Sequence, residues 1–292
     1  MSALAIALVL ISALFHALRS LFTKASGDKQ IFLWLYSTFA LLFFSPLFLY
    51  FLYRVGIPQP VAYVWCFGSG FIHFMYWLFL TQSYKEGDLS HVYPIMRSSP
   101  ALVLVIAVLF LGEQVSIQGV CGILLVAVGV YIINMKQISA AELLEPIKSI
   151  ANDRSTRFAF LTLLSVAFYS IVDKMAVNHI HPILFTFIHL LCGMCYYTPY
   201  ILLTKNAEMI KTEWTSGLRR IIAAGVLGIF GYMLNLISYT EERVSYIVWL
   251  RQTSIEFAVL MGSHLLKEKH KGIRLTGSLI IFTGGFLISL AR

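Results

Sequence analysis

One self-similarity constrains this chain more than any other property: residues 70–133 align without a gap with residues 225–288, at a constant offset of 155. Twelve of the 64 positions are identical, where composition alone would give about five. The matches include small, polar and junction residues, among them Gly70/Gly225, Ser83/Ser238, Glu86/Glu241, Ser90/Ser245, Glu113/Glu268, Gly122/Gly277 and Gly129/Gly284. Shared hydrophobicity alone does not produce such a set. A period this long lies far outside solenoid spacings and fits two halves of a duplicated bundle, whose shared interface is where a ligand site belongs.

The halves are membrane-embedded. Hydrophobic residues make up 59% of the chain, charged residues 12%, and mean hydropathy is +0.79, whereas soluble domains carry about 25% charged residues. Apolar runs at 3–22, 31–53, 61–83, 92–111, 116–135, 157–177, 182–203, 218–238, 245–266 and 273–291 each approach the ~20 residues that cross a bilayer. They lack the alternation of a barrel strand. The predicted fold is therefore an all-α integral membrane protein with ten transmembrane helices in two inverted five-helix repeats. The first repeat covers 1–135, a linker 136–156, and the second repeat 157–292. The repeats are inverted because five spans per half make the second half enter from the opposite side.

The first apolar run has no basic n-region and no small-residue cleavage site, so it reads as a span rather than a signal peptide. Cys66, Cys121, Cys192 and Cys195 all fall inside spans. They are expected to be buried free thiols, since a zinc site would need two further ligands beside the C-x-x-C. No cofactor or metal is expected. The net charge of +8 resolves by position. Fifteen Lys and Arg fall between spans 1–2, 3–4, 5–6, 7–8 and 9–10, against four (Arg54, Lys174, Arg243, Arg292) on the other side. By the positive-inside rule the basic side faces the cytoplasm and both termini lie outside. This asymmetry removes any need for a nucleic-acid partner.

Ionisable groups inside spans cost roughly 2.5–3.5 kcal/mol each at a helix centre, so each needs a partner, a wet cavity or a route to the interface. In span 9, Ser245, Tyr246, Trp249, Gln252, Thr253 and Glu256 recur at helical spacing, with Arg251 on the opposite face. The offset maps this stripe onto Ser90, His91, Pro94, Arg97, Ser98 and Ala101 of span 4. Span 1 carries Ser12, His16, Arg19, Ser20 and Thr23, and span 6 carries Ser165, Tyr169 and Asp173. Span 3 adds His73, Tyr76 and Trp77, and span 8 adds Tyr232 and Asn235. The candidate substrate-binding set is thus His16, Arg19, His73, Tyr76, Trp77, Tyr93, Arg97, Tyr169, Tyr232, Asn235, Trp249, Gln252 and Glu256. Spans 2, 5, 7 and 10 read as more uniformly apolar, and His189 of span 7 as structural. Glycines in spans 5 and 10 (Gly119, Gly122, Gly129; Gly272, Gly277, Gly284, Gly285) suit close helix packing or a homodimer contact.

The run Gly87-Asp88-Leu89-Ser90-His91-Val92-Tyr93-Pro94, followed by Arg97, Pro100, Leu111-Gly112-Glu113 and Gly122 to Gly129, resembles the EamA repeat of the drug/metabolite transporter superfamily. Lys24 is similar to the lysine typical of that repeat. The second copy keeps Glu268, Gly277 and Gly284, while Glu242, Arg243, Val248 and Trp249 replace its Gly, Asp, Tyr and Pro. The resemblance covers the whole chain as two copies. It implies alternating access around a cavity built from helices 1, 3, 4, 6, 8 and 9, with both termini cytoplasmic, the opposite orientation to that given by the charge count, so that the sequence leaves orientation open.

A small-molecule transporter in a bacterial cytoplasmic membrane is the function these features predict, export being the direction the family suggests. The excess of arginine favours an anionic or zwitterionic cargo, which guanidinium binds bidentately, and Glu256 is a candidate proton carrier. A lipid or lipid-linked-precursor flippase of the same fold is the alternative. An enzyme is not expected: there is no H-E-x-x-H and no paired-Asp motif, and the eight histidines are scattered.

Overall fold

The computed structural model describes residues 1–86, 96, 99–133, 153–254 and 271–290. Among these residues the chain forms ten α-helices and one short 3-10 helix, with no strand. In chain order they are α1 (Ala3–Lys24), α2 (Lys29–Val55), α3 (Pro60–Glu86), α4 (Ser99–Leu111), α5 (Ile117–Ile133), α6 (Arg154–Ala176), α7 (Pro182–Thr204), α8 (Ala207–Glu241), α9 (Val244–Leu250), the 3-10 turn Arg251–Thr253, and α10 (Lys271–Leu290). Oxygens of Ser2, Asp28, Asp153 and Asn206 accept from the first free N–H groups of α1, α2, α6 and α8, as N-caps do.

Six helices, α1, α2, α3, α6, α7 and α8, are long and apolar enough to cross a membrane. Shorter apolar stretches lie in α4, α5 and α10. Leu42, Phe67, Phe110, Leu124, Leu203 and Phe282 are exposed on the outside, while His73, Asp173, His189 and Asn235 are buried within. An apolar exterior around a polar interior suits a lipid solvent. This is a multi-pass membrane protein. Two boundaries differ from the hydropathy reading. α8 starts eleven residues before 218, because its first turns carry Glu208, Lys211 and Glu213, which no apolar window includes. The stretch expected as one span from 245 tightens into 3-10 geometry at Arg251. Its remainder lies outside the described residues.

Packing obeys the offset of 155. α1 packs on α8 and its equivalent α6 packs on α3; α2 packs on α8 and its equivalent α7 on α3; α2 meets α7, and α5 meets α10. α1 begins beside the end of α8, where the Ser2 N–H donates to Glu242 at 2.5 Å. α6 begins beside the end of α3, where the Ser83 hydroxyl donates to the Ser155 carbonyl at 3.3 Å. Lys174, near the end of α6, donates to the Glu242 carbonyl at 2.8 Å, so α6 ends where α1 begins and these equivalent helices run in opposite directions.

The repeated residues are the ones that make these crossings. A Cβ on Gly122 would sit 2.8 Å from the Gly284 carbonyl oxygen, and one on Gly129 would sit 2.8 Å from that of Gly277. The two contacts are images of each other under the repeat. Gly70 and Gly225 do the same at the α3–α7 and α8–α2 crossings, against Cys192 and Gly193 in one and the Tyr36 carbonyl in the other. The glycines of α5 and α10 are thus used within the chain. Glu113 and Ser245, also repeat identities, meet across the halves: the Glu113 carboxylate accepts from the N–H groups of Val244 (2.7 Å) and Ser245 and from the Ser245 hydroxyl (2.6 Å). This caps α9 from the other half, favourably for the helix dipole.

At the opposite face the α1–α2 turn is tied to the α7–α8 junction. Lys205 Nζ lies 2.5 Å from Asp28, Glu213 accepts from the Asp28 N–H at 2.9 Å, and Arg220 donates to the Ala25 carbonyl. Partial burial works to raise the Asp28 pKa, but the hydrogen bond from Lys205, the N–H groups of Ile31 and Gln30, and the ammonium charge together hold it below its ordinary value. A depressed carboxyl stabilises the fold above its unfolded pKa and loses that contribution as pH falls through the folded one. This tie therefore weakens only in acid.

The cysteine expectation needs one correction. All four thiols are free, and Cys66 and Cys192 are buried, but Cys121 and Cys195 are exposed on the outer surface. A small weakly polar thiol is tolerated against lipid, so a position inside a span does not mean a position inside the protein.

Candidate functional site

Where the two halves meet, a cavity of about 90 Å³ is lined by α1, α2, α3, α6, α7, α8 and the 3-10 turn. Its polar lining includes Ser12, His16, Arg19, Tyr36, His73, Tyr76, Tyr169, His189, Tyr232 and Arg251, with Trp77 among the aromatics. Glycines let α8 approach α1 closely here. Gly228 lies against Arg19, and Gly231 lies against Phe15 and the Ser12 carbonyl. The Ser12 hydroxyl donates to the Gly231 carbonyl at 2.6 Å, locking α1 to α8.

The cations are Arg19 and Arg251. Arg19 donates to His16 Nδ1 at 3.0 Å, and its guanidinium lies 5.8 Å from the centre of the Tyr36 ring, within cation–π range. Neither arginine forms an ion pair with a carboxylate among the described residues. An ionised group in a membrane interior without a paired counter-charge is costly, and two such guanidinium groups line this one cavity.

The aromatic wall is a connected chain of ring contacts. His73 lies 4.2 Å from Tyr169 and 5.1 Å from His189, and His189 lies 4.5 Å from Tyr232, between ring centres. His73 Nδ1 lies 2.9 Å from the Ser69 carbonyl, and His189 Nδ1 lies 2.9 Å from the Phe185 carbonyl. A carbonyl only accepts, so each Nδ1 carries the hydrogen and each Nε2 is an acceptor in the neutral ring. The site therefore offers guanidinium donors for an anionic group and imidazole acceptors for a hydroxyl or ammonium.

Behind this wall sits Asp173, fully buried in the last turn of α6. Its Oδ1 accepts from the Ser69 hydroxyl at 2.6 Å, and its Oδ2 accepts from the Tyr232 hydroxyl. Three helices from both halves thus converge on one carboxyl group. Among the described residues, no three His, Cys, Asp or Glu side chains gather as a metal site would require. A second, larger hollow of about 650 Å³ lies where α1 begins, lined by Glu113, Lys174, Glu242 and Arg243.

Of the thirteen sequence candidates, His16, Arg19, His73, Tyr76, Trp77, Tyr169 and Tyr232 come together in the lining. Asn235, Trp249 and Gln252 are buried elsewhere, with the Asn235 amide atoms, Trp249 Nε1 and Gln252 Oε1 left without hydrogen-bond partners. Tyr93, Arg97 and Glu256 lie outside the described residues, as do the run 87–95 and the Lys24 side chain. Arg251 and His189, assigned from sequence to an outward face and to structure, are both in the lining. So are Tyr36 and Ser37 of α2 and Thr186 of α7, from helices whose apolar run hides an isolated polar residue.

Two copies of one family model, the EamA-like transporter family, match residues 3–135 and 156–290. A protein of known crystal structure superposes with a TM-score of 0.74 over 98% of this chain and 97% of its own, at 16% sequence identity. At that identity the likeness establishes a shared fold alone. Among curated proteins none matches the sequence.

Proposed function

This chain belongs to the EamA-like transporter family, and from that premise we propose that it is a secondary transporter of a small anionic or zwitterionic metabolite. In this reading ten membrane-spanning helices, in two inverted five-helix repeats, alternate access to the cavity between them in a bacterial cytoplasmic membrane. The observation that carries it is the pair Arg19 and Arg251, both lining one cavity between the halves and neither paired with a carboxylate among the described residues. Carboxylate, phosphate and phosphonate groups suit a guanidinium fork, and the Nε2 atoms of His73 and His189 suit a hydroxyl or ammonium elsewhere on the same molecule. The family resemblance makes export the expected direction. A homodimer would have to use the outer faces of α5 and α10, since their glycine faces are already in contact.

A thermal-shift screen of purified protein tests the charge class. Carboxylates, phosphates and phosphonates should raise the unfolding temperature, because a ligand held by the folded state alone adds about 2.7 kcal/mol at a hundredfold excess over Kd. A response confined to cationic compounds would remove the anion reading.

A further inference from the structure

We propose that Asp173 is a proton-binding coupling residue, and that proton and anion bind to the same state of the transporter. The proposal deepens the anion-transport reading and rests on it for the second half of that statement. The chain of contacts begins and ends at the cavity. Tyr232, in the lining, donates to Asp173 Oδ2. Ser69 donates to Oδ1, and the Ser69 hydroxyl lies 3.3 Å from Nδ1 of His73, which is again in the lining. A buried carboxyl with two hydroxyl donors is built to exist in both states. Ionised, it accepts from both; protonated, it can turn its own O–H toward one of them. Taking up a proton reverses the hydrogen bond at one oxygen, so that this hydroxyl must turn its own hydrogen elsewhere, at a point where α3 of one half meets α6 and α8 of the other. Protonation thus acts on the interface along which the halves must move.

Among the described residues the charged and titratable groups around it are few. α3 presents His73 and Cys66, α8 presents Tyr232 and Tyr239, and α6 itself contributes Tyr169; the 3-10 turn brings Arg251, and His189 of α7 packs at a tilt against His73 and Tyr232. α4 has no ionisable side chain. Arg251 is the cation acting on Asp173 through space, and it also lines the anion cavity. A proton on Asp173 therefore removes a negative charge that acts on Arg251 and strengthens its field for the anion. Linkage makes the effect reciprocal: the bound anion favours the proton as much as the proton favours the anion. The two ligands then travel together. Under an inward proton gradient the driven direction is uptake, against the export expected from the family.

The test uses sulfate, whose charge is constant across the range, titrated into purified full-length protein at pH 5.5 and 8.5 with tryptophan emission as the signal. Trp77 in the lining makes that emission sensitive to occupancy. Wild type should bind sulfate at least about fivefold more tightly at the lower pH. Asp173→Asn should show the tight value at both, and Asp173→Glu should restore the pH dependence. A wild type indifferent to pH, or an Asp173→Asn variant that keeps the full dependence, would overturn the proposal while leaving anion transport intact. Infrared difference spectra of the same samples cover the case in which sulfate does not bind, which would count against the anion reading. A carboxylic-acid band that appears in acid and is missing in Asp173→Asn supports a proton on Asp173; its absence from wild type refutes it. Should Asp173→Asn fail to fold, Tyr232→Phe and Ser69→Ala each remove one donor from the ionised carboxylate and should move the midpoint of that band to higher pH. An unmoved midpoint in both would refute the assignment.

Discussion

Replacing Arg19 with Gln should weaken binding of the anion identified by thermal shift by about 30-fold, because losing one charge-assisted contact in a desolvated site costs about 2 kcal/mol or more. The same is expected of Arg251→Gln, and the double variant should bind no anion at millimolar concentration. Arg19→Lys should recover only part of the loss. Lysine keeps the charge but loses the planar fork and the stacking on Tyr36. Arg54 provides the control: it lies near the end of α2 beside the exposed Tyr50 ring, and Arg54→Gln should leave affinity unchanged. Equal affinities in wild type and Arg19→Gln, measured calorimetrically on folded protein, would remove Arg19 from the site.

Gly122→Val should unfold the α5–α10 pair rather than alter binding. The new Cβ would meet the Gly284 carbonyl oxygen at 2.8 Å and the Ile288 N–H at 3.0 Å. Both are backbone atoms, which cannot rotate away as a side chain would. Overpacking of this kind costs about 3 kcal/mol or more, which should lower the unfolding temperature by roughly 6 °C or more. Gly129→Val should do the same at the symmetric contact with Gly277. The double variant should lose less than the sum, since both break one interface. A Cβ on Gly68 would meet nothing within 4 Å, so Gly68→Val, scanned by intrinsic fluorescence in the same detergent, should melt within about a degree of wild type.

Much of this architecture is legible from the offset of 155, because the residues it preserves are those that cannot change without moving a helix. Gly70/Gly225, Gly122/Gly277 and Gly129/Gly284 mark close crossings, and Glu113 and Ser245 are partners in one helix cap. The site is legible only in part, for a physical reason. A polar stripe on a membrane helix marks the side turned away from lipid, and that side can face protein as readily as water. Ser245 and Tyr246 spend their polarity on Glu113 and Ser116, so the most regular stripe in the sequence serves packing between halves. Arg251 lies off that stripe, and off the stripe is toward the cavity. The 3-10 turn that begins at this residue also breaks the 100° progression on which a helical wheel depends. His189 gives no periodic signal, because its Nδ1 bonds to its own helix one turn back and only its ring and Nε2 serve the site. Tyr36 is hidden likewise, a single polar group in an apolar helix, recognisable only once Arg19 is seen above its ring.

Exchange across a sealed bilayer separates anion transport from its rival. Proteoliposomes containing the purified full-length chain, loaded with the unlabelled anion found by thermal shift, should take up the labelled anion from outside, and those with the Arg19→Gln/Arg251→Gln double variant should take up none. Movement of a labelled lipid between leaflets without any exchange of anion would rule out anion transport and make this protein a flippase instead.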